Sequence, residues 1–225
     1  MAQAADLTLD ELRLELAPAI AAAAIFDGWG DAALVNASEA AGVDPAVARL
    51  AFPDGQMDMI AAWIASVDAK MIAAFNRAQL ARTPIRERIR SLVWFRLESV
   101  LGLEEALRRA LAIQAMPQNL VRTAKLGWAS ADMMWRLAGD TATDYNHYTK
   151  RVILAGIYAA TLAVFVDDDS EGKAETRAFL DRRIEGVMKF EKAKARWLAP
   201  REHFDVVRFL GRLRYPAKSS LLASQ

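Results

Sequence analysis

Apolar residues recur at spacings of three and four along almost the whole chain, and no stretch sustains an alternation of period two, so the pattern predicts helices and no sheet. Thr8 and Glu11 stand at capping-box spacing ahead of an apolar run, predicting a helix to about Phe26 with a kink at Pro18. Asp27-Gly28-Trp29-Gly30 closes that helix. A second is predicted over Asp31–Ala41, broken at Gly42, and a third opens with Asp44 as cap and Pro45 in its first turn. These three short helices trace a helix-turn-helix outline. From Gln56 to Ala81 one stripe carries Ile60, Trp63, Ile64, Val67, Met71, Phe75 and Ala78, the pattern of a single long amphipathic helix. Further helices are predicted from Pro84 to Val100 and from Glu104 to Ile113, and Pro117 breaks the chain again. Leu120, Ala124, Trp128, Ala131, Trp135 and Ala138 then share a face that ends at Gly139, a left-handed cap. After a short turn over Asp140–Thr143, a helix runs to Val166 and reads as buried. An acidic turn leads to a last long helix, about Lys173 to Trp197, and Pro200 separates it from a short helix over Arg201 to about Arg214. The architecture is all-α, divided by this reading into an N-terminal helix-turn-helix-like part (1–55), a larger helical part (56–198) and a C-terminal amphipathic helix with its tail (199–225).

With 225 residues, 54% of them hydrophobic, the chain is long enough to bury a full core without staples. Cysteine is absent, which removes disulfides, thiolate nucleophiles and Cys-ligated metal centres, and two histidines are too few for an ordinary His-based site. No metal and no cofactor is expected. The first residues lack the basic-then-apolar order of a secretory signal, so a reducing interior is the expected home. The longest uncharged stretch, Val152 to Val166, has 15 residues, short of the roughly 20 that span a bilayer.

A net charge of +1 conceals an asymmetry: residues 1–60 hold two basic and ten acidic side chains, whereas residues 182–218 hold eleven basic and four acidic ones. An anionic partner is therefore expected at the C-terminal end. The N-terminal outline looks like that of the TetR regulators, in which a recognition helix enters the DNA major groove. Phosphate contacts need Lys and Arg, yet the candidate recognition helix, Pro45 to Phe52, offers Arg49 alone and no Asn or Gln for base edges. Nucleic-acid binding is not expected.

Other chemistry is sparse. Gly28-x-Gly30 lacks the rest of a phosphate-binding loop. Asp167, Asp169, Glu171 and Gly172 imitate half a calcium loop, but the position of the bidentate Glu is Ala178; the segment reads as a solvated turn favouring the N-terminus of the next helix. His147 and Asp144 form the one candidate acid–base pair, with no nucleophile or metal set attached by motif. In the final short helix, Val206, Val207, Phe209, Leu210 and Leu213 cover one arc, with Arg201, Asp205, Arg208 and Arg212 opposite. Such a helix lies in a lipid interface, or docks on its own protein or a dimer mate.

One segment is more specific. Ala138-Gly139-Asp140-Thr141-Ala142-Thr143-Asp144-Tyr145-Asn146-His147-Tyr148-Thr149-Lys150-Arg151 resembles the AGD-x-STD-x-NWYT-[KR]-R signature of the Coq-nine family, lipid-binding accessory proteins of ubiquinone biosynthesis. Leu154 to Thr161 resembles that family's LA-x-[IV]-Y-x-[ST]-T run, Thr176 to Ile184 its TW-x-FLD-x-RI segment, and Asp27-Gly28-Trp29 with Ala32-Ala33-Leu34 its DGW-x(2)-AAL block. Four blocks in order are far more specific than any one.

The resemblance implies a TetR-like fold, usually dimeric, that has exchanged DNA binding for an apolar pocket. It further implies binding of isoprenoid quinone precursors and their presentation to the di-iron demethoxyubiquinone hydroxylase. The implied location is the inner face of a bacterial membrane, or the matrix side in a mitochondrion. On this likeness the lipid site comprises Trp94, Met133, Leu137, Ile157, Tyr158, Leu162 and Phe165, and the docking patch Met134, Trp135, Asp144, His147, Tyr148 and Arg151. The membrane helix would act through Val206, Phe209, Leu210 and Leu213, with Arg208 and Arg212 at the headgroups. Two positions depart from the family: His147 stands for its tryptophan, and Thr176-Arg177 for its TW pair. The expected function is a non-enzymatic lipid presenter, ahead of a ligand-responsive TetR-type regulator and of a small-molecule enzyme using His147 and Asp144. If the final helix does meet lipid, Phe209→Glu with Leu213→Glu weakens co-sedimentation with anionic liposomes; unchanged binding assigns the helix another task.

Overall fold

The computed structural model describes residues 7–141 and 145–198. Among them every regular element is helical: α1 (Leu9–Asp27), α2 (Asp31–Ala40), α3 (Pro45–Ala51), α4 (Gln56–Ala74), α5 (Arg77–Leu80), α6 (Ile85–Glu98), α7 (Glu104–Gln114), α8 (Leu120–Leu137), α9 (Tyr145–Phe165) and α10 (Ala174–Leu198), with 3-10 turns at Pro117–Asn119 and Glu171–Lys173. The predicted capping box forms: Glu11 N donates to Thr8 Oγ1 at 3.3 Å and Thr8 N to Glu11 Oε2 at 2.9 Å, which satisfies two donors at the start of α1. Leu12, Leu16, Ile20 and Ala24 then face inward at four-residue spacing, against α2 and α4. Asp44 caps α3 by accepting from Ala46 N at 2.7 Å, so α1 to α3 form the helix-turn-helix outline.

Trp29, in the turn after α1, locks this N-terminal part to the rest. It is fully buried, its Nε1 donates to Ala106 O in α7 at 2.8 Å, and its ring lies 5.2 Å from that of Trp63 in α4. The compact unit consequently continues through Ile184, and the boundary placed after residue 55 falls inside its core. A second unit begins at Glu185, within the span of α10, and is described to Leu198. The final short helix expected over 201–214, with Val206, Arg208, Phe209, Leu210, Arg212 and Leu213, lies outside the described residues.

Three predicted elements differ. The long helix from Gln56 stops at Ala74, because Phe75 adopts extended backbone (φ −106°, ψ 122°) and Asn76 caps α5 by accepting from Ala78 N at 2.8 Å. Asn competes with the helix through such local bonds, and Phe75 gains an edge-on contact with Phe95 at 5.4 Å. In α8 the inward face is Ser130, Ala131, Met134 and Leu137; Leu120 and Ala124, at the start of the predicted stripe, are exposed. Helix α9 is buried on one strip only, through Arg151, Leu154, Thr161 and Phe165, while Val152, Gly156, Ala159 and Ala163 are exposed. By length and hydropathy His147–Phe165 would suffice to cross a membrane. Its ion-paired, buried Arg151 marks it as a bundle helix with one apolar side left uncovered.

The acidic turn serves α10. Asp168 is buried; its Oδ1 accepts from Ser170 N and Oγ at 2.9 and 2.5 Å, and its Oδ2 from Thr176 N and Oγ1 at 2.7 and 2.6 Å. Burial pushes its pKa up, but these four donors outweigh it and hold the carboxyl far below the usual range. A carboxylate depressed in the folded state adds stability above its unfolded pKa, about 3.9, and loses it as pH falls toward the folded value. Asp168→Asn is therefore expected to lower stability at pH 7 by about 1–2 kcal/mol and to flatten the fall in Tm below about pH 4.

Candidate functional site

The end of α8 and the start of α9 meet at the signature segment. Trp135 Nε1 donates to Lys150 O at 3.0 Å and the Lys150 ammonium stands 5.4 Å from the Trp135 ring, joining the two helices through one aromatic side chain. Arg151 points inward and is 1% exposed. Its Nε donates to Asp132 Oδ1 at 2.5 Å, and its Nη1 to Asp140 Oδ2 at 3.1 Å and His147 O at 3.0 Å. Lys150 Nζ reaches the other Asp140 oxygen at 2.7 Å, and Arg136 the other Asp132 oxygen at 2.7 Å. A buried guanidinium with two carboxylates and a carbonyl fixes this corner, because any loosening exposes an unpaired charge to a low dielectric.

On the outer side lies an aromatic group. Trp128 in α8 is 6.3 Å from His147 and 5.9 Å from Tyr148, and His147 meets Tyr148 edge-on at 5.1 Å. Tyr148 and Val152, one turn apart, are 60% and 61% exposed. His147 thus occupies the place of the expected tryptophan within an aromatic set that Trp128 completes.

The residues expected to dock a partner therefore divide. Tyr148 is exposed, His147 and Trp135 are half-buried, and Met134 and Arg151 are buried and act from behind the surface. Asp144 lies outside the described residues. Of the expected lipid-site residues, Trp94, Met133, Ile157, Tyr158 and Leu162 are partly buried side chains packed against the core, whereas Leu137 and Phe165 are enclosed within it. Lys173 stands 4.7 Å from the Phe165 ring. The Trp94 ring is covered by the Arg177 guanidinium at 3.6 Å, and its Nε1 donates to Glu98. The departure Thr176-Arg177 thus has a local account: Thr176 is bonded to Asp168, and Arg177 supplies a cation–π contact.

A polar group at the centre of the bundle was not predicted. Arg96 lies on the buried strip of α6 with Leu92, Val93 and Leu97, pairs with Asp68 of α4 and donates to Ser130 Oγ of α8 at 3.1 Å. Burial raises the Asp68 pKa despite the facing Arg96. The available signal was a lone arginine at core spacing on an otherwise apolar strip. The single basic residue of α3 is also engaged: Arg49 makes a two-pronged bond with Asp31, at 2.7 and 2.8 Å. Beside it Val47 and Leu50 are exposed.

A search of solved structures matches this arrangement to a TetR transcriptional regulator from Nitrosomonas europaea, with a TM-score of 0.62 and 19% identity, covering 77% of this chain and 96% of that one. The fold is TetR-like and all-α. The COQ9 family model matches residues 120–191, the span of α8, α9 and most of α10. Ubiquinone biosynthesis protein COQ9 of Rattus norvegicus is 32% identical over 168 residues, covering 72% of this chain and 54% of that protein. The Homo sapiens protein of the same name is 29% identical over 168 residues, covering 72% and 52%, and that of Schizosaccharomyces pombe 28% over 161 residues, covering 70% and 62%. These relatives are mitochondrial by name, and the chain spans about half the length of the first of them. With its signature, the chain is similar to the COQ9 family over residues 120–191.

Replacing Arg151 by Met removes the buried cation that Asp132 and Asp140 share and leaves them only Arg136 and Lys150 as partners. The expected loss is about 3 kcal/mol, read as a lower urea midpoint with an unchanged slope.

Proposed function

We propose that this protein is a non-enzymatic lipid-binding accessory of ubiquinone biosynthesis. It takes an isoprenoid quinone intermediate among its helices and presents it to a di-iron demethoxyubiquinone hydroxylase beside a membrane. It works as a homodimer, at the inner face of a bacterial membrane or the matrix face of a mitochondrial one. The observation that carries this reading is the outer side of α9: exposed Tyr148 and Val152 stand beside Trp128 and His147 on a corner made rigid by Arg151. A pre-positioned aromatic and apolar surface of this kind suits a protein partner, since aromatic anchors dominate interface energetics. The COQ9 relatives, named as ubiquinone biosynthesis proteins, supply the pathway. Met133 of α8 and Ile157, Tyr158 and Leu162 of α9, partly buried against the core, are the apolar side chains this reading assigns to the lipid.

The alternative, a ligand-responsive transcriptional regulator, draws on the fold alone. The Arg49–Asp31 pair and the acidic N-terminal residues speak against it. A specific DNA complex that survives about 0.15 M salt would favour it instead.

The test is the lipid itself. Protein purified from its host is expected to carry a polyprenyl quinone or another isoprenoid, identified by mass spectrometry; protein that carries none argues against the reading. Tyr148→Ala with Val152→Asp is expected to weaken capture of the hydroxylase at least about tenfold, with the bound lipid unchanged.

A further inference from the structure

Helix α3 closes the helix-turn-helix outline; it buries Ala48 and Ala51 and leaves Val47 and Leu50 43% and 66% exposed. Three residues apart on a helix, these two side chains are neighbours and form a short apolar ridge. Asp44, the N-cap, precedes Val47 by the same interval, so a carboxylate stands at the head of the ridge. Each arginine bonded to α3 or to the stretch after it is answered by an acid. Arg13 of α1 donates to Ala51 O and pairs with Asp10, Arg49 pairs with Asp31, and Arg122 of α8 pairs with both Asp54 and Asp58. Asp44 is exposed and forms no ion pair among the described residues, but its charge reaches Arg49 and raises that residue's pKa. Carboxylates therefore outnumber cations around Val47 and Leu50, and the field there is negative.

An apolar ridge in a negative field restricts what can cover it. A nucleic acid or an anionic membrane would bring phosphates to surplus carboxylates. Two copies meeting through this patch about a two-fold axis would set acid against acid. We propose that α3 is a docking ridge for another protein, and that it receives a cationic amphipathic helix. The helix lays apolar side chains on Val47 and Leu50 and turns lysine or arginine toward Asp44. Helix faces bind through anchors about one turn apart, and complementary charge sets register and encounter rate. The ridge shares no residue with the α9 surface, and its assignment does not depend on the lipid-binding reading.

The full chain is titrated at about 0.15 M salt with three fluorescein-labelled peptides of about 18 residues, read by anisotropy. The first is built of lysine and leucine with the leucines on one helical face, the second has the same composition with the leucines scattered, and the third carries glutamate in place of lysine. Val47→Ser with Leu50→Ser removes the ridge without touching the core, and Asp44→Asn removes the charge while keeping a good cap. Circular dichroism and sedimentation accompany each titration. The wild type is expected to bind the first peptide at least about tenfold more tightly than the other two, with a loss of about tenfold in the ridge variant and about threefold in Asp44→Asn. Equal affinity for the ordered and scattered peptides, or no loss in the ridge variant, reduces the contact to bulk charge and overturns the proposal. A ridge variant that sediments as a smaller species than the wild type assigns the ridge to a second copy of the chain, which also overturns it.

Discussion

Taking a guanidinium out of water is tolerable only when its partners are already in position, and the junction of α8 and α9 is built around that requirement. Arg151 reaches Asp132 within α8 and Asp140 in the following turn, so the chain has to leave α8, reverse and re-enter α9 at one particular angle. Gly139, at φ +89°, permits the reversal, and Arg88 of α6 steadies it by donating to Ala138 O at 2.7 Å. The exposed side chains of the signature inherit their placement from this buried charge. Tyr148 and Val152 are held on a surface whose geometry is decided one layer deeper.

Much of the fold was legible because the signals were local. Capping residues such as Thr8 and Asp44 marked helix starts in the sequence, and the same side chains accept the expected backbone donors in the structure. Periodicity identified helices but could not say which stretches of stripe would be covered. Trp63 and Met71 are inside, whereas Leu120 is exposed, because coverage depends on what packs opposite and not on spacing. The break at Phe75 was missed for a related reason: an aromatic side chain at core spacing reads as one more turn of helix until Phe95 offers it a better contact.

The site was legible as a segment and not as an arrangement. The signature marks the corner where α8 meets α9, yet it presents Arg151 and Met134 on equal terms with Tyr148, and only packing separates side chains that hold the corner from those that face outward. The Arg177 departure has the same lesson. In sequence it is a missing aromatic; in space the guanidinium lies flat on Trp94, a neighbour nothing in the chain order announces. The pairing of Arg96 with Asp68 across 28 positions was equally invisible.

The two-pronged bond between Arg49 and Asp31 has a consequence for how this scaffold can change. Neutralising Asp31 would release a lone cation into a neighbourhood dominated by carboxylates, whose field would still repel a polyanion. The electrostatic character of this face therefore changes only when several carboxylates change together.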